Sequence, residues 1–97
     1  MKLRYTPDAL AELDDVLTYI AARSEGSARV VQRRIKAAID FLQDFPRAGR
    51  PTGLPDLRRI VVTPYPYLIF YNMTADEVII VGIRHAARDP LSMPDQE

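Results

Sequence analysis

The chain has 97 residues, 47% of them hydrophobic and 27% charged, with a formal net charge of zero. This length and balance indicate one small globular domain and argue against a disordered or fibrous protein. The sequence contains no cysteine, which excludes a disulfide framework and a thiolate metal site.

The predicted elements begin with a short strand, residues 3–5, followed at once by a helix. Thr6 can cap that helix, Pro7 fits its first turn, and Asp8 suits the positive end of its dipole. The helix is predicted to continue to about Arg23, because large apolar side chains recur at three- and four-residue intervals. These side chains are Leu10, Leu13, Leu17 and Ile20.

A second amphipathic helix is predicted from about Ser27 to Phe45, and Pro46 ends it. Its apolar face comprises Val31, Ile35, Ala38, Leu42 and Phe45. Because the connection between the two helices is only a few residues long, they are expected to pack as an antiparallel hairpin.

The second half of the sequence predicts a loop and three strands. Residues 47–55 are rich in glycine and proline and form the one segment long enough for a functional loop. The strands are predicted at residues 56–63, 67–72 and 76–84, and short turns make them an antiparallel meander. The fold class is therefore α+β, with an N-terminal strand and a two-helix hairpin packed on one face of a small antiparallel sheet, in the order β-α-α-β-β-β. The domain is expected to span residues 1–90, with a polar tail at 91–97.

No segment of the sequence has the character of a signal peptide or of a membrane span. The N-terminus lacks an apolar run, and no stretch approaches the roughly 20 apolar residues that a bilayer requires. A cytoplasmic location is therefore the default expectation.

The last predicted strand is apolar on both of its faces, although a helical hairpin can cover only one of them. In the strand before it, Tyr67, Ile69 and Tyr71 alternate with Leu68 and Phe70, so the two sets lie on opposite faces. We expect Tyr67, Ile69 and Tyr71 to form an exposed row that binds a partner protein. The alternative is a central strand whose second face is covered by loops and the tail.

Residues 47–88 carry a surplus of positive charge, with six arginines against three acidic residues. Eleven of the thirteen basic residues are arginine, whose planar guanidinium suits phosphates and carboxylates, although a GC-rich genome gives the same bias. The central loop and the chain end supply a candidate surface for a nucleic-acid or nucleoprotein target. This surface comprises Arg47, Arg50, Arg84, His85 and Arg88.

The chemistry available to the sequence is limited. A single histidine without a suitably spaced carboxylate pair predicts no metal site, and no glycine-rich phosphate loop occurs, so no cofactor is expected. The remaining possibility is metal-free phosphoryl chemistry, in which Arg50, Arg59 or Arg84 stabilises negative charge and His85 moves a proton. The alternative role of His85 is structural, at the end of a strand.

Four segments of the sequence, residues 5–9, 45–51, 58–71 and 83–90, together resemble the RelE/ParE superfamily of bacterial toxins. The resemblance covers the chain to about Pro90, and its ending is most similar to ParE members. It implies the toxin of a type II toxin-antitoxin system. Such a toxin is neutralised by a cognate antitoxin of the ParD or RelB kind, whose C-terminal segment wraps it in a hetero-oligomer.

Two activities occur in this superfamily. RelE-like members cut messenger RNA on the ribosome with arginines, other basic residues and a tyrosine or histidine, whereas ParE-like members poison DNA gyrase without hydrolysing RNA. Arg59, Arg84 and His85 match RelE-like positions, but the lysines of RelE-type sites are missing, since the chain has only Lys2 and Lys36. The resemblance therefore favours non-enzymatic gyrase inhibition. A ribosome-dependent endoribonuclease and a non-toxic antitoxin-binding relative are the alternatives.

Overall fold

The computed structural model describes residues 1–86 and confirms the predicted α+β class. Its elements are β1 (Lys2–Tyr5), α1 (Pro7–Ala21), α2 (Glu25–Asp44), β2 (Arg50–Pro51), β3 (Leu57–Val61), β4 (Tyr67–Met73) and β5 (Glu77–His85). The predicted tail, residues 91–97, and Arg88 lie outside the described residues.

Local capping explains where the two helices begin. The Thr6 hydroxyl accepts a hydrogen bond from the Ala9 backbone N–H at 3.1 Å, and the Ser24 hydroxyl accepts one from Ser27 at the same distance. Since Ser24 is the cap, α2 begins at Glu25, two residues earlier than the sequence analysis predicted. Leu10, predicted on the apolar stripe of α1, is 52% exposed.

The five strands form one sheet in the order β1-β5-β4-β3-β2. The three long strands pair antiparallel as predicted, but β1 pairs parallel with β5, so the sheet is mixed. The pairing between β1 and β5 joins residues more than 70 positions apart, and no local turn fixes its direction. It places Leu3 and Tyr5 against the main core, which is the physical reason for β1 to lie at this edge.

The helices pack on the face of the sheet that carries the tyrosine row of β4. Ile69 and Tyr71 are fully buried and Tyr67 is 6% exposed, in one cluster with helix residues such as Val16 and Ile35. The prediction that Tyr67, Ile69 and Tyr71 form an exposed antitoxin-binding row is therefore wrong. Both rows of β4 are apolar, and alternation alone does not indicate which of them the helices cover.

The opposite face of the sheet has a small apolar cluster of its own. It contains Leu57, Leu68 and Phe70, with Leu54 and Val81 packed against it. Phe70 is fully buried. A loop residue, Leu54, thus contributes to the second layer that the two-sided apolar strands require.

A β-bulge in β5 changes the alternation of its side chains. Tyr71 pairs with Ile80, whereas the neighbouring Phe70 pairs with Gly82, so Val81 is an extra residue on β5. Because of this residue, Ile80 and Ile83 both face the helices although they are three positions apart. Within residues 1–86, neither helix is long and apolar enough to cross a membrane.

Candidate functional site

The segment from Pro46 to Arg50, which we call the arginine loop, leads from α2 into β2. Its backbone is held by two side chains of the sheet. The Tyr71 hydroxyl accepts a hydrogen bond from the Gly49 N–H and donates one to the Pro46 carbonyl, both at 2.8 Å. Arg58 donates from Nη1 to the Gly49 carbonyl at 2.8 Å and to the Arg47 carbonyl at 3.3 Å. The backbone of the loop is therefore fixed, while the side chains of Arg47 and Arg50 are exposed.

Arg50 and Arg59 lie side by side on the face of the sheet opposite the helices. They are paired residues of β2 and β3, and Arg59 in turn pairs with Phe70 of the second apolar cluster. Residues paired across antiparallel strands project from the same face. The structure thus brings these two predicted arginines together.

Arg84 belongs to the same face by register, because it pairs with Leu68. Its guanidinium forms an ion pair with Glu12 of α1, with 2.9 Å between Nε and Oε2, and both side chains are about three-quarters buried. The other oxygen of Glu12 accepts a hydrogen bond from the Ile83 backbone N–H at 2.9 Å. Glu12 therefore satisfies part of the β5 edge that β1 does not reach, and it neutralises part of the predicted positive surface.

His85 lies on the other face of the sheet, towards the helices. It pairs with Tyr67, and the two rings meet edge to face with their centroids 5.2 Å apart. Since Tyr67 belongs to the main core, the imidazole is separated by the sheet from the face of Arg50 and Arg59. The structure does not bring together the four residues of the predicted ribonuclease constellation.

An apolar groove borders the arginine loop, and the sequence analysis missed it. Phe41 and Phe45 stack with their ring centroids 4.9 Å apart and are 47% and 57% exposed. The groove has a volume of about 520 Å³ and extends to Pro46 and Ala48. Phe45, predicted on the buried face of α2, instead follows the helix as its C-cap and faces solvent.

Burial changes the acidity of the tyrosine that holds the loop. Removal from water raises the pKa of Tyr71 above its ordinary value of 10.0, and the Gly49 hydrogen bond and the charge of Arg58 partly offset this rise. Burial also raises the pKa of Tyr5. Both groups are therefore harder to ionise in the folded chain than in the unfolded one.

We expect the folded chain to lose stability in alkaline solution. The pKa of Tyr71 is higher in the folded chain than in the unfolded one. Its contribution to the free energy of unfolding is therefore complete below about pH 10 and is lost as the pH rises through the folded-state pKa. The urea concentration at the midpoint of unfolding should fall as the pH is raised from about 8 to about 11, and it should fall less for Tyr71→Phe than for the wild type. Part of the decline should persist in that variant because Tyr5 contributes too. Equal declines in the two proteins would contradict the linkage to Tyr71.

Among residues 1–86, no group of three or more histidine, aspartate or glutamate side chains could hold a metal ion. The described site therefore offers guanidinium groups, one imidazole on the opposite face and apolar contacts. Such a set suits binding to a negatively charged partner.

Comparison with known proteins identifies the class of protein that has this fold. A chain of the chromosomal ParDE toxin-antitoxin system of Pseudomonas aeruginosa superposes with a TM-score of 0.75 and 25% identity, over 88% of this chain and 95% of that one. The intact RelBE toxin-antitoxin complex of Escherichia coli contains a chain that superposes with a TM-score of 0.66 and 23% identity, over 90% of this chain and 98% of that one. The fold is therefore shared with chains of the ParDE and RelBE toxin-antitoxin systems.

The sequence gives the family. Residues 3–90 match the family model described as "ParE toxin of type II toxin-antitoxin system, parDE". The protein named Toxin RelE2 of Caulobacter vibrioides is 42% identical over 84 residues, which cover 87% of this chain and 93% of that protein. The chain therefore belongs to the ParE toxin family. It is the toxin of a type II toxin-antitoxin system and has an antitoxin as its partner.

Proposed function

We propose that this toxin acts in the bacterial cytoplasm by inhibiting DNA gyrase, without hydrolysing RNA, until its cognate antitoxin neutralises it. The observation that carries the proposal is the separation of His85 from the arginines. His85 pairs with Tyr67 on the helix-facing side, whereas Arg50 and Arg59 project from the opposite face.

Metal-free cleavage of RNA needs a group that moves a proton beside groups that stabilise the charge of the phosphate. Histidine is the side chain whose unperturbed pKa lies near neutrality, and the chain has only His85. With the sheet between His85 and the arginines, one phosphate does not reach both in this arrangement. Inhibition by binding has no such requirement.

The proposed target-binding surface comprises Arg47, Arg50, Arg84, His85 and Arg88. Within the described residues, its accessible part is the arginine loop, because Arg47 and Arg50 are exposed while Arg84 is paired with Glu12. Exposed guanidinium groups on a fixed backbone suit a nucleoprotein target, since their positive charge steers association and pairs with phosphate. The neighbouring Phe41–Phe45 groove adds apolar area at the border of the same surface.

One observation favours the alternative, a ribosome-dependent messenger RNA endoribonuclease. Arg50 and Arg59 are paired residues of neighbouring strands that project from the same face, and two neighbouring guanidinium groups are a common arrangement for binding phosphate. This arrangement lacks the proton carrier, which makes it the second candidate.

Two purified assays decide between the activities. We expect the toxin to block gyrase supercoiling and to leave ribosome-programmed messenger RNA uncut. His85→Gln should keep most of the inhibition, whereas loss of a general acid or base costs on the order of a hundredfold or more in rate. Ribosome-dependent cleavage that requires His85, with gyrase unaffected, would establish the alternative.

A charge-matched pair of variants tests the surface. Arg47→Ala with Arg50→Ala should abolish gyrase inhibition while the protein stays folded. The control removes two exposed arginines from α2, Arg29→Ala with Arg33→Ala, and should inhibit like the wild type. Loss of inhibition in the control alone would move the target surface to α2.

A further inference from the structure

The hydroxyl of Tyr71 makes two hydrogen bonds, and both are to the backbone of the arginine loop. Tyr71 is fully buried, and a phenol has one hydrogen to donate and lone pairs to accept with. Its hydrogen goes to the Pro46 carbonyl and its oxygen accepts from the Gly49 N–H, each at 2.8 Å. One side chain of a central strand thus joins two points of the loop that are three residues apart.

The loop also lies directly against the ring of Tyr71. A Cβ atom built on Gly49 would lie 2.4 Å from the Tyr71 hydroxyl oxygen and 2.6 Å from Cε1. Glycine is therefore the residue that permits this approach. The close contact leaves the loop backbone little room to move towards the sheet.

Arg58, on the neighbouring strand β3, also holds the arginine loop. It pairs with Tyr71 across β3 and β4, and its guanidinium binds the carbonyls of Arg47 and Gly49. Tyr71 and Arg58 are thus cross-strand neighbours, and both hold the loop through its backbone. The side chains of Arg47 and Arg50 remain free to meet a partner, as their exposure shows.

We propose that Tyr71 is a positioning residue, which holds the arginine loop in the shape that presents Arg47 and Arg50 to the toxin's target. This inference rests on the proposed function of the loop as part of the target-binding surface. A backbone that is ordered before binding loses no further conformational freedom when the partner arrives. Without the phenol, binding must also order the loop, and the same two arginines bind less tightly.

Tyr71→Phe isolates this role, because it keeps the ring in the core and removes only the hydroxyl. We expect its half-inhibitory concentration for gyrase to rise on the order of tenfold, with antitoxin binding unchanged. The matched control is Tyr5→Phe, which removes the hydroxyl of a partly buried tyrosine on the same face of the sheet and should inhibit like the wild type. Inhibition by Tyr71→Phe equal to that by Tyr5→Phe overturns the proposal.

A double-mutant cycle separates positioning from general stability. In the background of Arg50→Ala alone, which keeps Arg47 and measurable inhibition, Tyr71→Phe should weaken inhibition by a smaller factor than it does in the wild type, because one of the groups it positions is gone. Additive losses overturn the proposal. If Tyr71→Phe does not fold, Arg58→Met gives the same test. It keeps an aliphatic side chain at position 58 and removes the hydrogen bonds from the guanidinium to the loop backbone.

Amide exchange at Gly49, measured on the full-length toxin in complex with its antitoxin, gives a readout that is independent of the target. The Gly49 N–H should exchange at least about tenfold faster in Tyr71→Phe than in the wild type, while core amides of β4 stay protected. Unchanged exchange overturns the proposal. A wild-type toxin that fails to inhibit gyrase refutes the proposed function instead, and growth arrest in cells then replaces the gyrase assay for the same set of variants.

Discussion

Replacing Gly49 with alanine should lower the free energy of unfolding by about 3 kcal/mol, the upper part of the range for an overpacked core. The added Cβ would lie 2.4 Å from the Tyr71 hydroxyl oxygen and 2.6 Å from Cε1. The ring has nowhere to move because Tyr71 is fully buried. Relief requires the loop to shift, which lengthens the hydrogen bonds from Gly49 and to Pro46.

Gly53→Ala is the matched control, since nothing lies within 4 Å of a Cβ atom at that position. Its effect should stay within about 0.5 kcal/mol, as for most surface changes. Urea denaturation of the two variants measures the difference. Equal stabilities would mean that the loop tolerates the methyl group and that its contact with Tyr71 is loose.

Replacing Glu12 with alanine should lower the free energy of unfolding by about 2 to 4 kcal/mol, because it breaks a largely buried ion pair from one side. The change removes the ion-pair partner of Arg84 and leaves the Ile83 N–H without its acceptor. Glu12→Gln should have a smaller effect, since an amide oxygen still accepts from Ile83 while the charge is lost.

Asp15→Ala removes an exposed carboxylate from the same helix and serves as the control, with an expected effect within about 0.5 kcal/mol. Chemical denaturation at neutral pH compares the three variants. If Glu12→Ala were no more destabilising than Asp15→Ala, the contacts of Glu12 with β5 would contribute nothing net to the fold.

The helices and the antiparallel strands were predictable because their signals are local. Thr6 before Pro7 indicates the start of α1, and the short connection between the helices indicates a hairpin. The parallel pairing of β1 with β5 was not predictable. The two strands are distant in the sequence, and they pair through backbone hydrogen bonds that every sequence is able to make. Nor could alternation indicate which apolar row of β4 is covered, because Ile69 and Phe70 are equally hydrophobic neighbours.

The candidate site was also predictable only in part from the sequence. Its exposed arginines were found from composition, because charge in a loop rich in glycine and proline is visible in the sequence. The residues that hold the loop were not found, since the contacts of Tyr71 and Arg58 cross 22 and 9 positions of the chain. Glu12 was missed for the same reason, as its bond to Ile83 spans 71 positions.

The extra residue in β5 bears on how such toxins change over evolution. Regular alternation from Ile80 would place Arg84 towards the helices and His85 on the face that carries Arg59, the reverse of the observed arrangement. Removal of the codon for Ile83 would exchange the faces of Arg84 and His85 and place the imidazole on the face that carries Arg50 and Arg59, without altering either residue. A single insertion or deletion beyond the bulge is thus enough to change which face of the sheet carries the imidazole.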